Sequence, residues 1–421
     1  MTAEPATEPT ADTIAAARRE GVAGALARIG GTLQRRDFRW WFGSQILSAS
    51  GNATQVVALS WVVLQSTGNA FWLSVLTVCS WGPMLLLGPW AGARVDRHDR
   101  RRILLLTQFL LMLAGLVLSL LDAVGALSLW IILAVSLCTG AVAALDSPAR
   151  QVFIVDLVGR DGLAGAVGLW EVVVNASRVL GPALGGVLLA TVGPGACFLV
   201  NAVALLGPLY VLWRLVPQAD PASARPPKER GAIRSGLRYA WHNPTVRACL
   251  PMAAAGGMLF TMGIALPVLA TRTFHLGGGG YGALLSAFGL GALPGALLAS
   301  ATRAPTGPRV RVLAAATGGS VLLVAYSPFL FLAFAAMALA GFTSIWFIAT
   351  ANTLVQLRSA AEMRGRVMGL WSMALPGTVP ITGFLVSGVI ETLGARAGFA
   401  CSGVALLLAA GLGWKALADR D

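Results

Sequence analysis

The sequence predicts an all-α integral membrane protein with twelve membrane-crossing helices in two six-helix halves. Composition comes first: 56% of the 421 residues are hydrophobic and 12% charged, where a soluble domain carries about 25% charged residues. Too little polar surface remains to cover a water-soluble body. The second observation is length: a spanning helix needs about 20 mostly apolar residues. Such segments begin near Trp40, Phe71, Ile103, Leu127, Leu163, Ala196, Val246, Tyr281, Val310, Pro328, Val367 and Ala397. The third is where the charge falls. With the N-terminus in the cytoplasm, 28 of the 31 Lys and Arg lie in tails or cytoplasmic loops, and the exceptions are Arg178, Arg272 and Arg396. By the positive-inside rule this places both termini in the cytoplasm.

Several function classes are excluded by what surrounds these segments. The net charge of +13 is spread between apolar runs rather than gathered on one soluble face, which argues against nucleic acid. The five cysteines, Cys79, Cys138, Cys197, Cys249 and Cys401, have no metal-ligand spacing and form no disulfide framework. His98, His242 and His275 lie far apart in loops, and no nucleophile–base constellation accompanies them. No phosphate-cradling Gly-Lys-Ser/Thr loop is present, so ATP does not drive the protein directly. No enzyme, cofactor or metal reading follows.

In order along the chain, residues 1–36 read as a disordered, basic cytoplasmic tail without the apolar core of a signal peptide. The N-terminal bundle covers 37–216, and the Pro- and Arg-rich stretch from Pro217 to Pro244 is a cytoplasmic linker. Within it, "GAIRSGLRYAW" has the pattern of a short surface helix. The C-terminal bundle covers 245–416, and 417–421 form a second tail. The halves are related: "VGLW" at Val167–Trp170 matches "MGLW" at Met368–Trp371 with an offset of 201, and the same offset carries Gly193 to Gly394 and Phe198 to Phe399. Repeats of parallel topology build one large class of transporters, with substrate bound between them near the bilayer midplane.

Two stretches carry the candidate site. In the fifth span, Glu171, Asn175, Arg178 and Pro182 share one helical face, and charge inside a membrane is a functional signal by default. Trp41, Gln45, Ser48, Asn52 and Gln55 form a similar stripe on the first span. Two such stripes are expected to line one polar cavity, or else to bond to neighbouring helices. Glu171 reads as the acidic residue well inside a span, with Asp146 at a span's end. Side chains on a helix lean toward its N-terminus, so Arg178 is expected to reach toward Glu171. The pair would exchange a proton for substrate, unless it is a fixed ion pair.

The other stretch is Gly92-Ala-Arg-Val-Asp96-Arg97-His-Asp-Arg100-Arg101-Arg102, between the second and third spans. It resembles the corresponding loop signature of the major facilitator superfamily, with Arg94 where Leu is usual and Asp99 where Gly is usual. "DSPARQ" at Asp146–Gln151, "LLSAFGLGALPGA" at Leu284–Ala296 and "RGRVMGLW" at Arg364–Trp371 resemble the superfamily's bacterial branch of enterobactin-exporter-type and drug exporters. Gly168, Ser177, Gly181, Pro182, Gly185 and Gly186 resemble the pattern that accompanies export in the fifth helix, with Ser177 replacing a Gly. Ser136 stands where many proton-driven exporters of the superfamily carry a buried Arg.

The resemblance implies a monomeric secondary transporter of the bacterial inner membrane, working by alternating access on a small amphipathic molecule such as a drug or siderophore, with proton antiport. Uptake by the same fold, or a membrane sensor that has lost transport, are the alternatives. It also implies that Asp96 meets the N-terminus of the eleventh helix near Arg364, Gly365 and Arg366, closing the cytoplasmic side. Helix N-termini carry partial positive charge that favours a carboxylate.

Overall fold

The computed structural model describes residues 36–214, 232–301, 305–375, 377–414 and 417. Among these the regular elements are helices. The first half comprises α1 (Arg36–Thr67), α2 (Ala70–Arg97), α3 (Arg100–Ala123), α4 (Leu129–Thr191) and α5 (Pro194–Arg214). The second comprises α6 (Ala232–His242), α7 (Pro244–Gly257), a 3-10 turn at Met258–Thr261, α8 (Met262–Arg272), α9 (Gly278–Ala301), α10 (Gly307–Ala325), α11 (Leu330–Arg358), α12 (Ala361–Ala374), α13 (Val379–Leu393) and α14 (Ala395–Leu412). The expected tail 1–36 lies outside the described residues apart from Arg36. So do residues 217–231 of the expected 217–244 linker and the last four residues.

Among the described residues, eleven stretches are long and apolar enough to cross a membrane. Between the last two of these stretches lie two shorter helices, α12 and α13, of which α13 is apolar. The other departure is α4, 63 residues long. Straight, it would measure about 95 Å. It is not straight: the Arg150 guanidinium lies 5.7 Å from the Trp170 ring, and Ile154, Val158, Ala166 and Leu169 share one apolar cluster. The chain therefore doubles back between its two spans, Leu129–Ile154 and Leu169–Thr191. The fifth span begins at Leu169, not near Leu163, because the turn itself is helical.

The offset of 201 is visible in three dimensions. It carries the first residue of α5, Pro194, to the first of α14, Ala395, and Leu129 of α4 to Leu330 of α11. Gly193 and Gly394 both take positive φ, 109° and 92°, where a side chain would be strained. Phe198 and Phe399 are both buried. Arg101 donates to the carbonyls of Leu212 and Trp213 at 2.7 Å each. Arg311 donates to the carbonyl of Trp414, the counterpart of Trp213.

Three apolar clusters set the shape of the interior. One belongs to the first half alone, from Phe38 and Trp41 to Phe153, Leu169 and Leu212. A second belongs to the second half alone, from Val246 and Met252 to Phe347, Trp371 and Leu406. Both lie at the end of the molecule where the two halves begin and end. The third lies at the opposite end and is shared: Val57, Leu73 and Phe198 of the first half join Leu266, Tyr281, Val386 and Phe399 of the second. The halves are thus fused at one end and have separate cores at the other. Outside this frame, α6 forms where the linker pattern places a surface helix. It leaves Leu237 and Trp241 exposed, while the Tyr239 hydroxyl accepts from Ala360 N at 2.9 Å.

Candidate functional site

The buried charge of the first half lies between spans one, three and four. Asp146 accepts from Thr107 Oγ1 at 2.8 Å and from Gln108 Nε2 at 2.7 Å. One turn on, Arg150 donates to its other carboxylate oxygen through Nε at 3.2 Å and through Nη2. Arg150 Nη1 donates to Gln45 Oε1 on α1. The two charged side chains are 8% and 14% exposed, so this is a buried pair. Such a pair persists only where hydrogen bonds satisfy its remaining donors and acceptors. Gln45 Nε2 and Gln108 Oε1 are buried without a partner among the described residues, one donor and one acceptor on the two glutamines of the network.

Asp146 and Arg150 fall toward the end of the apolar helical stretch Leu129–Ile154. One sequence-based expectation is corrected. Arg178 leans back along its helix as expected, but its Nη1 reaches Asn175 Oδ1 at 3.5 Å. Asn175 in turn donates to the Glu171 backbone carbonyl at 2.8 Å. Among the described residues Arg178 and Glu171 form no ion pair, and the Glu171 side chain is exposed. A separation of seven residues spans about 10 Å along the axis, and Asn175 stands between.

The stripe on α1 divides in the same way. Gln45 bonds to Arg150, and Gln55 Oε1 accepts from Asn201 Nδ2 of α5 at 2.8 Å. Trp41 stacks at a tilt on Phe153, with centroids 5.1 Å apart. Ser48 is buried and Asn52 exposed. Of the polar groups of this stripe, Gln45 and Gln55 bind neighbouring helices of their own half.

The small residues of the fifth span serve two partners. A Cβ on Gly181 would come within 2.3 Å of Ala53 Cβ, and one on Gly185 within 3.3 Å of Val57, both on α1. A Cβ on Gly186 would come within 3.0 Å of Gly282 Cα in the other half. A Cβ on Gly282 would meet Gly186 Cα at 2.4 Å and the Pro182 carbonyl at 2.6 Å. A Cβ on Gly289 would likewise come within 2.4 Å of the Arg178 carbonyl oxygen. Small residues let helices approach closely in a membrane, and here they form the seam between the halves. Ser177 is buried and donates to the Val174 carbonyl at 2.8 Å.

The charged loop is tight. Asp99 caps α3, accepting from Arg101 N at 2.9 Å and Arg102 N at 3.4 Å, so the acidic residue found where Gly is usual acts as a helix cap. Arg101 holds the carbonyl end of α5, where positive charge is favoured. Gly92, Asp96 and Arg97 fall in the last turns of α2, but their side chains lie outside the described residues, as do those of Gly168 and Gly365. Arg364 Nε donates to the Gln356 carbonyl at 3.0 Å, and Arg366 Nη1 contacts Met363 Sδ at 3.6 Å.

A family model described as transmembrane secretion effector matches residues 31–418. The chain belongs to that family of major facilitator transporters. Among its relatives, the staphyloferrin A transporter of Staphylococcus aureus is 25% identical over 375 residues, covering 88% of this chain and 93% of that one. The multidrug efflux pump Tap of Mycolicibacterium fortuitum is 26% identical over 378 residues, covering 86% and 91%. The enterobactin exporter EntS of Citrobacter koseri is 28% identical over 321 residues, covering 74% and 75%. The fold is also that of a bacterial homologue of the iron transporter ferroportin, with a TM-score of 0.70 at 17% identity over 91% of this chain and 99% of that one.

This secretion-effector transporter is a multi-pass membrane protein, not an enzyme. The buried charge that sequence reasoning passed over is Arg150. Its i, i+4 spacing from Asp146 was a usable signal, since such residues lie one above the other on a helix.

Proposed function

We propose that the chain is a secondary active exporter that moves a small amphipathic molecule out of a bacterial cell by alternating access, in exchange for protons. The observation that carries this reading is the division of the interior into one shared cluster and two separate ones. Halves joined at one end and separate at the other are the structural requirement for rocking about a central site. The Arg asymmetry supports cytoplasmic termini; on that reading the joined end is external and the state inward-facing. The export pattern of the fifth span and the efflux and siderophore relatives favour outward movement.

Asp146 is the better candidate for the proton carrier than Glu171, because it is buried, bonded to a single arginine and tied through that arginine to α1. A shift of α1 would draw Arg150, which is bonded to Gln45, away from Asp146. The amide of Asp146→Asn keeps the shape and cannot titrate. In proteoliposomes with an imposed pH gradient, this variant should bind a fluorescent amphipathic dye and exchange it downhill, but fail to accumulate it against a gradient. Uphill accumulation with an unchanged dependence on the pH gradient would overturn Asp146 as carrier.

Orientation has its own test. A cysteine at Ser223, in the linker outside the described residues, should be protected from an impermeant thiol reagent applied outside cells. One at Gly277, where an added Cβ meets nothing within 4 Å, should react.

A further inference from the structure

The end where the halves are fused carries an ionic contact that none of the sequence motifs contains. Glu391, near the C-terminus of α13 in the second half, accepts from the backbone N–H of Ala70 at 2.8 Å. Ala70 is the first residue of α2 in the first half. The next amide, Phe71 N, is taken by Asn69 Oδ1 at 2.8 Å. Arg272, the last residue of α8, grips the same carboxylate with both nitrogens, Nη2 to Oε1 at 3.1 Å and Nη1 to Oε2 at 3.4 Å. Its Nη2 also donates to the Gly68 carbonyl at 2.6 Å. Gly68 and Asn69 are the whole turn between α1 and α2. The turn of one half is therefore held from both sides: its free carbonyl by Arg272 and the following free amide by Glu391. Further inward, the Phe71 and Phe384 rings lie 5.7 Å apart and Ser74 Oγ donates to the Gly383 carbonyl at 2.8 Å.

We propose that Glu391 and Arg272 form the latch that holds this end of the transporter closed, and that its release is required for the opposite state. The physical argument rests on what each partner loses on opening. Ala70 N and the Gly68 carbonyl are helix-terminal groups with no partner inside their own helices, and a carboxylate at a helix N-terminus also gains from the helix dipole. The side chains are about one-third exposed, 33% for Glu391 and 38% for Arg272, so water can take over these bonds when the halves part. The latch is thus strong enough to bias the equilibrium and weak enough to open, as exposed ion pairs are. Its position explains why Arg272 departs from the positive-inside pattern. The arrangement is also reciprocal to the one expected at the other end: there an acid at the C-terminal end of α2 is expected to meet the N-terminus of α12, and here an acid at the C-terminal end of α13 meets the N-terminus of α2.

The test is a distance measurement, which stands whether or not the export reading does. Spin labels at Val124 and Phe331, exposed at the fused end of each half, report opening there. Labels at Leu106 and Leu357 report the other end. In purified protein, Glu391→Leu should raise the open-to-closed ratio at the Val124–Phe331 end by roughly fivefold, with an opposite, closing shift at the Leu106–Leu357 end. Glu391→Gln, which keeps an acceptor for Ala70 N but no charge, should give a smaller shift in the same direction. The double swap Glu391→Arg with Arg272→Glu restores the ion pair but faces Ala70 N with a donor, so it should stay open. Full closure in the swap would reduce the latch to a simple ion pair. Unchanged distances in Glu391→Leu and in Arg272→Gln, with both proteins folded by size-exclusion profile, would overturn the proposal.

Discussion

The fourth and tenth spans are built on one plan and filled with opposite chemistry. The offset that carries Leu129 to Leu330 carries Asp146 to Phe347 and Arg150 to Ala351. In the first half this position holds a buried ion pair with three polar neighbours, Thr107, Gln108 and Gln45. In the second, Phe347 and Ala351 are fully buried in an apolar cluster with Met252 and Trp371. A buried ion pair seldom exceeds the stability of apolar residues of similar volume. The second half shows the apolar packing that the same backbone accepts. What the first half gains is a buried charged pair tied to a neighbouring helix, and under the proposed function the two halves would divide between coupling and passive packing.

The largest effect should come from Arg150→Ala. It leaves Asp146 buried without its counter-charge, and breaking a buried pair in this way costs about 3–5 kcal/mol. A marked drop in thermal unfolding temperature in detergent is the expected readout. Replacing both partners, Asp146→Leu with Arg150→Met, should recover most of that stability while uphill export stays absent. A double variant as unstable as the single one would mean that the network is needed for folding, and the contrast between the halves would lose its force.

Next is Phe347→Ala. Removing a fully buried aromatic ring costs about 3–5 kcal/mol through lost burial and the cavity left behind, so unfolding should again come early. Here the residual transport, scaled to folded protein, should keep its dependence on the pH gradient. A change in that dependence would show that the second half takes part in coupling.

Gly282→Val probes the seam rather than either core. Even one added carbon would meet Gly186 Cα, so the halves must separate locally. The open-to-closed ratio at the fused end should rise several-fold by spin-label distances, on the scale of one close helix contact. The smallest effect is expected from Glu171→Gln. Its side chain is exposed and joins no ion pair among the described residues, so stability should change by less than about 0.5 kcal/mol and uphill export should persist. Loss of uphill export with downhill exchange intact would return the proton to Glu171.

Hydropathy, the basic loops and the offset of 201 are local properties of the chain, and they were enough to read a helical membrane protein of two related halves, while the transporter class came from the resemblance of its motifs to the major facilitator superfamily. Lipid leaves no alternative for an apolar run of that length except a helix whose backbone bonds are internal. The site was only half legible. Small residues at Gly181, Gly185 and Gly186 were visible as a packing surface, but not that the first two face α1 and the third faces the other half. Arg178 and Glu171 stand out because they interrupt an apolar run, while Asp146 and Arg150 lie toward the end of theirs, where charge is less conspicuous. What joins Arg150 to Gln45, 105 residues away, or Glu391 to Ala70, 321 residues away, is helix packing. No periodicity along one segment records which face of a distant helix will lie against it, so those partners were decided by the tertiary structure alone.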